Sequence, residues 1–430
     1  MTSIPQFQPK PPIGQSVSRV DGRAKVTGQA KYAGEYNVPA LTYGVVVSST
    51  IARGKILSID TSRALAVPGV IYVFTHEHRP RTAWFDRSYR DQDSPEGAPF
   101  RPLHDATIVY SGQPVALVIA ENFELARHGA SLVEVCYEVE AHATDLHAQR
   151  RDARRPKGKP VPKPRGDAEQ AFAAAAVQVD AEYLAPIEHH NPMEPHASTV
   201  VVENDGTLTI YDKTQGVQNS LSYVAHVFGL SKNEVRVLAP FVGGAFGSGL
   251  RPQYQLFLAV MAARELKRSV RVSLTRPQMF TFGHRPETIQ RVALGASAEG
   301  KLQAVIHEAI SETSRFEDYA ESVVDWSGSL YQCDHVRLGH TVVPLDFFTP
   351  LDMRAPGAGW GLYALECAMD ELAYSAGIDP LELRRRNYAA RDQVEDKPFS
   401  SKELRACYDQ GAERFGWSAR RPEPRSMREG

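Results

Sequence analysis

Residues 150–165 read RRDARRPKGKPVPKPR, eight basic side chains and four prolines against one acid. Proline fixes φ, lacks an N–H and clashes with the preceding helical turn, so this density sustains neither a helix nor a central strand. The segment is predicted to be extended and solvated. Its charge admits two readings, a polyanion-binding patch or an interdomain linker. No aromatic side chains are interleaved with the cations, which favours the linker. The chain is therefore expected to divide into residues 1–149, a basic linker at 150–166, and residues 167–430.

A length of 430 residues with 42% hydrophobic side chains is enough for more than one core. With 49 Lys+Arg against 51 Asp+Glu, the net charge of -2 gives no global footprint for nucleic acid. The four cysteines, Cys136, Cys333, Cys367 and Cys407, are scattered with no CxxC pair. A cysteine-held iron–sulfur cluster or structural zinc on this chain is excluded by that spacing, and each thiol is expected to be a small buried apolar group. The first fifteen residues carry four prolines and no apolar run, so no signal peptide is expected. The longest apolar stretches, at 113–120 and 257–263, are too short to span a bilayer. No membrane insertion is expected. The expected compartment is the cytoplasm, or the periplasm by export with a partner.

The pattern before the linker alternates strands with one helix. Segments 43–49, 70–75, 108–110 and 114–119 are β-branched. Asn122 opens a helical stretch that gives way to a strand over 133–139. After the linker, Asp167 and Gln170 match a capping box before an alanine-rich helix. Strands follow at 177–183, 207–211 and 236–238. A helix is predicted over 254–267 with Pro252 in its first turn, then strands around 301–311 and a helix over 362–376. Asp379 and Glu382 form a second capping box, opening a helix that ends in three arginines. A last helix shows Leu404, Cys407, Tyr408, Ala412 and Phe415 on one face, ahead of a polar tail. The fold class is α+β.

Four stretches bear on chemistry. The first, PFVGGAFGSGLRP at 240–252, places four glycines between a strand and a helix. Such a loop brings free amides and a positive helix end toward an anionic or oxo-rich ligand, although as a bare pattern it equally suits a structural turn. Neither GxGxxG nor a P-loop is present. The second, MRAPGAGWG at 353–361, again precedes a helix. In that helix Leu362, Leu365, Met369 and Leu372 form the apolar stripe. Glu366 falls on it and must be paired, protonated or at the rim, with Arg354 a candidate partner. The third, EHHNPMEPH at 188–196, gathers three histidines and two glutamates. Its prolines and spacing match no metal-ligand pattern, so supporting roles are expected. The fourth is Thr214-Gln215 at a strand end, which alone carries no weight.

In this order the stretches resemble the molybdenum-binding large subunit of the xanthine dehydrogenase/aldehyde oxidase family. SRVDGRAKVTGQAKYAGEY resembles its opening, and YSGQPVALVIAENFELAR the core of its small α/β hammerhead domain. RGDAEQAF, EHHNPMEPHA, KTQGVQ, FVGGAFGSG, MRAPGAGWGLYALECAMDELA and DPLELRRRN resemble successive motifs of its first molybdenum-cofactor domain. The similarity is greatest to bacterial three-subunit aldehyde oxidoreductases. It implies a molybdenum cofactor of the molybdopterin cytosine dinucleotide type, and a 2Fe-2S subunit and an FAD subunit as partners. The implied reaction is hydroxylation of an aldehyde with water as the oxygen source. Gln215 matches the glutamine that hydrogen-bonds an oxo ligand of the metal. Gly244, Ala245, Phe246 and Gly247 match the loop beside the metal's ligands, and Arg354 and Gly357 the second cofactor loop. The metal is held by the cofactor's dithiolene, with no protein ligand. Leu250 stands where purine-oxidising members carry a glutamate, and Pro356 where they carry an aromatic residue, which favours aldehydes over purines or other N-heterocycles. The family's catalytic base lies in a Gly-Glu motif near the C-terminus of a longer chain. The one Gly-Glu here, Gly34-Glu35, belongs to the opening. The resemblance therefore implies a chain lacking the second cofactor domain and inactive alone, or a non-catalytic half-subunit that binds partners or cofactor.

Overall fold

A computed structural model describes residues 13–91, 99–160, 162–421, 423 and 426. The expectations for residues 1–12 and for most of the tail lie outside these.

Strands β1 (Thr42–Ser48), β2 (Gly54–Asp60), β3 (Val70–Thr75), β4 (Thr107–Ile108), β5 (Pro114–Ala120) and β6 (Glu134–Val139) precede the proline-rich segment. After it come β7 (Val177–Ala185), β8 (Ala197–Val202), β9 (Leu208–Asp212), β10 (Val235–Leu238), β11 (Val270–Ser273), β12 (Thr288–Ala296), β13 (Leu302–Ser314) and β14 (Val336–Leu345). A seven-stranded sheet runs β10-β9-β8-β11-β1-β5-β3, a four-stranded sheet β14-β13-β12-β7, and a three-stranded sheet β4-β2-β6. The α+β expectation holds.

The largest sheet crosses the linker: β1 pairs in parallel with β11, Thr42 opposite Val270. The break at 150 divides the sequence, not the hydrogen-bonded sheet. Pairing across more than two hundred residues leaves no local mark that periodicity could reveal. β5 is buried along its whole length: β1 and β3 flank its edges, the helix Phe123–Ser131 packs on it, and Leu117 and Ile119 enter the main core while Ala116 and Val118 enter a smaller one. That helix is capped as its sequence suggests, with Asn122 Oδ1 accepting from Leu125 N–H at 2.9 Å.

The helix Tyr254–Leu266 lies at the centre of the main core, its first ten residues all buried. Each fully buried Leu, Val or Phe there contributes about 1.5–3 kcal/mol. Its N-cap is Gln253, so Pro252 sits one residue outside the helix and not in its first turn. Both expected capping boxes form by half: Asp167 accepts from Gln170 N–H and Asp379 from Glu382 N–H, without the reciprocal bond.

The proline-rich segment is extended but only partly solvated. Arg154 and Arg165 bond through their backbones to Val342 and Val336 on the edge of β14. Arg154 also forms a salt bridge with Asp318 at 2.6 Å, and Lys159 donates to the carbonyls of Ala320 and Glu321. Prolines leave a free strand edge little to pair with, so side chains fasten the strap instead. The expectation that every thiol is buried fails, and the last helix forms as read but lies at the surface. Cys333 is buried, but Cys136 and Cys407 are exposed. No residue of the helix Leu404–Phe415 is buried: along its apolar face Leu404, Tyr408 and Ala412 are half-buried, while Cys407 and Phe415 are exposed. Among the described residues no helix is long and apolar enough to cross a membrane.

Candidate cofactor-binding site

β10 ends at Leu238 and the next helix starts at Tyr254, so the first glycine stretch is a loop between strand and helix, as predicted. Its course depends on left-handed backbone at Gly244 (φ 90°), Phe246 (φ 58°) and Gly247 (φ 117°). A Cβ on Gly247 would lie 1.9 Å from the Asp352 carbonyl oxygen, so only glycine lets the two loops touch. Gln215, just beyond β9, fastens this loop. Its backbone N–H donates to Gly249 C=O at 2.8 Å. Its Oε1 accepts from Gly247 N–H at 3.0 Å and from Gly249 N–H at 3.2 Å. Two donors facing one atom identify that atom as the amide oxygen, which turns the Nε2 donors outward. Gln215 and Phe246 are both exposed.

The histidine-rich stretch supports this loop from below. Glu194 accepts from Gly243 N–H at 2.7 Å and Ala33 N–H at 3.3 Å. His190 Nε2 donates to Asp352 C=O at 2.8 Å, and burial pushes its pKa down to about 4, keeping it neutral. His196, fully buried, places Nε2 3.0 Å from Ser248 Oγ and 2.9 Å from Lys213 Nζ. Burial in turn pushes the Lys213 ammonium down to about 8. Among the described residues, no group of three His, Cys, Asp or Glu is arranged to hold a metal. The supporting role expected of this stretch is the one its contacts describe.

The second loop is joined to the first. Arg354 N–H donates to Phe246 C=O at 2.7 Å. Residues that the sequence did not single out hold it there. Buried Arg285 donates to the carbonyls of Met353 and Arg354 and, at 2.7 Å, to Glu188 Oε2. Glu321 Oε2 accepts from Gly357 N–H at 2.9 Å. The helix beyond begins at Ala358, four residues earlier than predicted, so Gly359 and Gly361 lie inside it. Packing overrides their low helix propensity: a Cβ on Gly361 would lie 1.8 Å from Val323 O, and one on Gly359 would press on the Arg285 guanidinium. Glu366 is paired, but not with Arg354. Tyr331 Oη donates to it at 2.6 Å and Arg384 at 2.7 Å, and the Arg354 side chain stays exposed.

Gln215, Gly244, Ala245, Phe246, Gly247, Arg354 and Gly357 are therefore brought to one place by the two joined loops. Among the described residues, the amides of Gly244, Ala245 and Phe246 find no acceptor within the chain. With the outward Gln215 Nε2, they form a donor set that fits an anionic, oxo-rich group.

Residues 153–388 match the model of the molybdopterin cofactor-binding domain, and residues 27–141 that of the aldehyde oxidase and xanthine dehydrogenase a/b hammerhead domain. The chain belongs to the molybdenum-binding subunits of the xanthine dehydrogenase/aldehyde oxidase family. It is 36% identical over 422 residues to the aldehyde oxidoreductase molybdenum-binding subunit PaoC of Escherichia coli (strain K12), covering 97% of this chain and 56% of that protein. It is 27% identical to the nicotinate dehydrogenase large molybdopterin subunit of Eubacterium barkeri, covering 87% of this chain and 89% of that one. The aldehyde oxidoreductase from Desulfovibrio gigas superposes with a TM-score of 0.78 at 25% identity, covering 93% of this chain and 46% of that one. The chain thus spans little more than half the length of PaoC. For a member of this family, the sequence signals that mark the site are its glycines. Arg285 and Glu321 carry no such signal, because each acts from a distant segment.

Proposed function

We propose that this chain is the cofactor-binding part of an aldehyde oxidoreductase. The complex would convert an aldehyde and water to a carboxylic acid and pass electrons to 2Fe-2S and FAD subunits. The observation that carries the reading is the junction of the two loops through Arg354 N–H and Phe246 C=O, with unpaired amides and Gln215 Nε2 around it. When bound, molybdenum on molybdopterin cytosine dinucleotide supplies the redox chemistry. Gly244, Ala245 and Phe246 offer amides to the anion, Gln215 offers a donor to one of its oxygens, and Arg354 and the helix end at Gly357 add positive potential.

The similarity to PaoC supports an aldehyde substrate. Leu250 and Pro356 give a purine or other N-heterocycle neither a carboxylate nor a ring to bind, so that reading is second. Gly34-Glu35 does not supply the base: Glu35 accepts from Tyr32 N–H at 2.8 Å, capping its own turn. On this reading the general base is a carboxylate of the second cofactor domain, supplied by another segment or chain. The relative from Eubacterium barkeri, matched over 89% of its length, supports a subunit of this size working beside another chain.

Co-expression with iron–sulfur and FAD subunits, with and without a chain bearing the second cofactor domain, tests the reading. The expected complex carries stoichiometric molybdenum, releases a cytosine nucleotide on acid hydrolysis, and reduces dye with aldehyde only when the base-bearing chain is present. A complex without molybdenum overturns cofactor binding. Molybdenum without aldehyde-dependent reduction in any combination leaves a non-catalytic binding subunit.

A further inference from the structure

Three buried side chains meet behind the second loop. Tyr319 and Glu321 are each 3% exposed and Asp352 is 7% exposed. Tyr319 Oη lies 3.2 Å from Glu321 Oε1 and 3.2 Å from Asp352 Oδ1. The two acids hold opposite ends of the loop 353–356. Asp352 precedes it directly, and Glu321 grips Gly357, the residue that follows it. The tyrosine closes the pinch between them.

A proton count decides what state this arrangement requires. A phenol has one hydrogen and can donate it to one carboxylate only. If both acids were ionised, the second oxygen pair would face each other, buried, with lone pairs alone. Both contacts are satisfied when one carboxyl keeps its proton and donates it to Tyr319 Oη, while the hydroxyl donates to the other carboxylate. We propose that Tyr319, Glu321 and Asp352 are positioning residues for the loop 353–356, and that they hold it by sharing one proton beyond that of the phenol.

The surrounding charges agree. Burial raises Glu321 to about 7, against the lowering effect of its bond from Gly357 and of Arg285, and with Asp352 adding to the rise. Burial also raises Asp352, opposed by the Tyr319 hydroxyl, Arg251 and Lys159. Lys159 Nζ bonds the Glu321 carbonyl and not its carboxyl, and His190, on the Asp352 carbonyl, is neutral. A carboxyl whose folded pKa is raised gives stability that is complete below its unfolded pKa and lost as pH rises through the folded value. The pinch is therefore closed in mild acid and loosens as pH passes about 7. The loop assignment stands on these contacts alone. Its consequence, firmer cofactor retention below neutrality, rests on the function proposed above.

Hydrogen–deuterium exchange of peptides covering 351–360 in the full chain, without added cofactor, tests it. Rates are expressed as protection relative to the unstructured peptide at each pH. Wild-type protection is expected to fall about tenfold or more from pH 6 to pH 8.5, as one shared proton is lost. Glu321→Gln stays neutral, still accepts from Gly357 and still donates to the phenol, so its protection is expected to stay level. A level wild-type profile, or an equal fall in Glu321→Gln, overturns the proposal. Should Glu321→Gln not fold, Tyr319→Phe decides: it is expected to lose protection already at pH 6, and wild-type protection at that pH overturns the assignment. Molybdenum content of the assembled complex after gel filtration at the two pH values reads the cofactor consequence separately. Equal content at both pH values removes that consequence and leaves the loop result as measured.

Discussion

The side-chain oxygen of Gln215 accepts hydrogen bonds from both Gly247 N–H, at 3.0 Å, and Gly249 N–H, at 3.2 Å. One residue thus sets the loop's shape with its oxygen and presents its nitrogen to whatever the loop binds. The two tasks separate by substitution. Gln215→Glu keeps an acceptor for both amides but has no outward donor. Gln215→Leu loses both, and leaving the loop amides to water costs about 1 kcal/mol. In an active assembly both variants are expected to lower turnover. In urea unfolding only Gln215→Leu is expected to shift. Unchanged turnover in both removes Gln215 from the site.

Gly247→Ala tests the contact between loops. The added methyl would lie 1.9 Å from the Asp352 carbonyl oxygen, and the backbone there has φ 117°. Left-handed strain and overpacking each cost about 1–3 kcal/mol. The variant is expected to be less stable in urea unfolding by a total of about 2–6 kcal/mol and to fail to retain molybdenum in the complex. Gly206→Ala, with open space around its Cβ and φ 83°, controls for backbone strain alone. Equal losses in the two variants would show that the loops need not touch.

What the sequence made legible was local. β3 spans 70–75 as read from its β-branched run, and the first glycine loop lies between its predicted strand and helix. Glycines mark a loop wherever it is held. What holds it does not show: Arg285 reaches the Arg354 carbonyl across 69 residues and Glu321 reaches Gly357 across 36. The same limit displaced a helix start. Gly359 and Gly361 argue locally against helix, yet the carbonyl of Val323 and the guanidinium of Arg285 leave no room for side chains there. Glu366 needs a partner on local grounds alone, but periodicity does not show that Arg384, eighteen residues on, wins it over the nearer Arg354. Pairing of β1 with β11 is invisible for the same reason.

Arg285 is expected to resist conservative replacement. Its planar fork serves two carbonyls and Glu188 at once, which a single ammonium cannot reproduce. Arg285→Met strands those acceptors beneath the loop, and the expected cost is about 2–4 kcal/mol, reduced from the fully buried case because Glu188 is partly exposed. Arg285→Lys is expected to recover less than half of it. Urea unfolding measures both. A methionine variant as stable as wild type would show that the loop is held without the clamp.

His307 gives the fold an acid limit. It is fully buried, with Nδ1 2.7 Å from Ser327 Oγ and Nε2 3.0 Å from Gln290 Oε1. Gln290 donates in turn to Thr288 Oγ1 and, at 3.3 Å, to the Trp360 carbonyl beneath the second loop. Those two donations fix Gln290 Oε1 as the acceptor, so His307 carries its proton on Nε2 and accepts from Ser327. Burial lowers its pKa to about 4. The unfolded histidine binds a proton below about 6.5 while the folded one does not, so its contribution is complete above that value and lost as pH falls toward 4. Between pH 7 and 4.5 the loss is about 2–3 kcal/mol. Glu321 and Asp91, both raised to about 7, act in the opposite sense over part of this range, so the overall profile mixes the two. His307→Gln isolates the histidine. The stability difference between wild type and variant is expected to shrink by about 2–3 kcal/mol from pH 7 to pH 4.5. Parallel profiles in urea unfolding would mean that His307 is charged in the fold or already exposed.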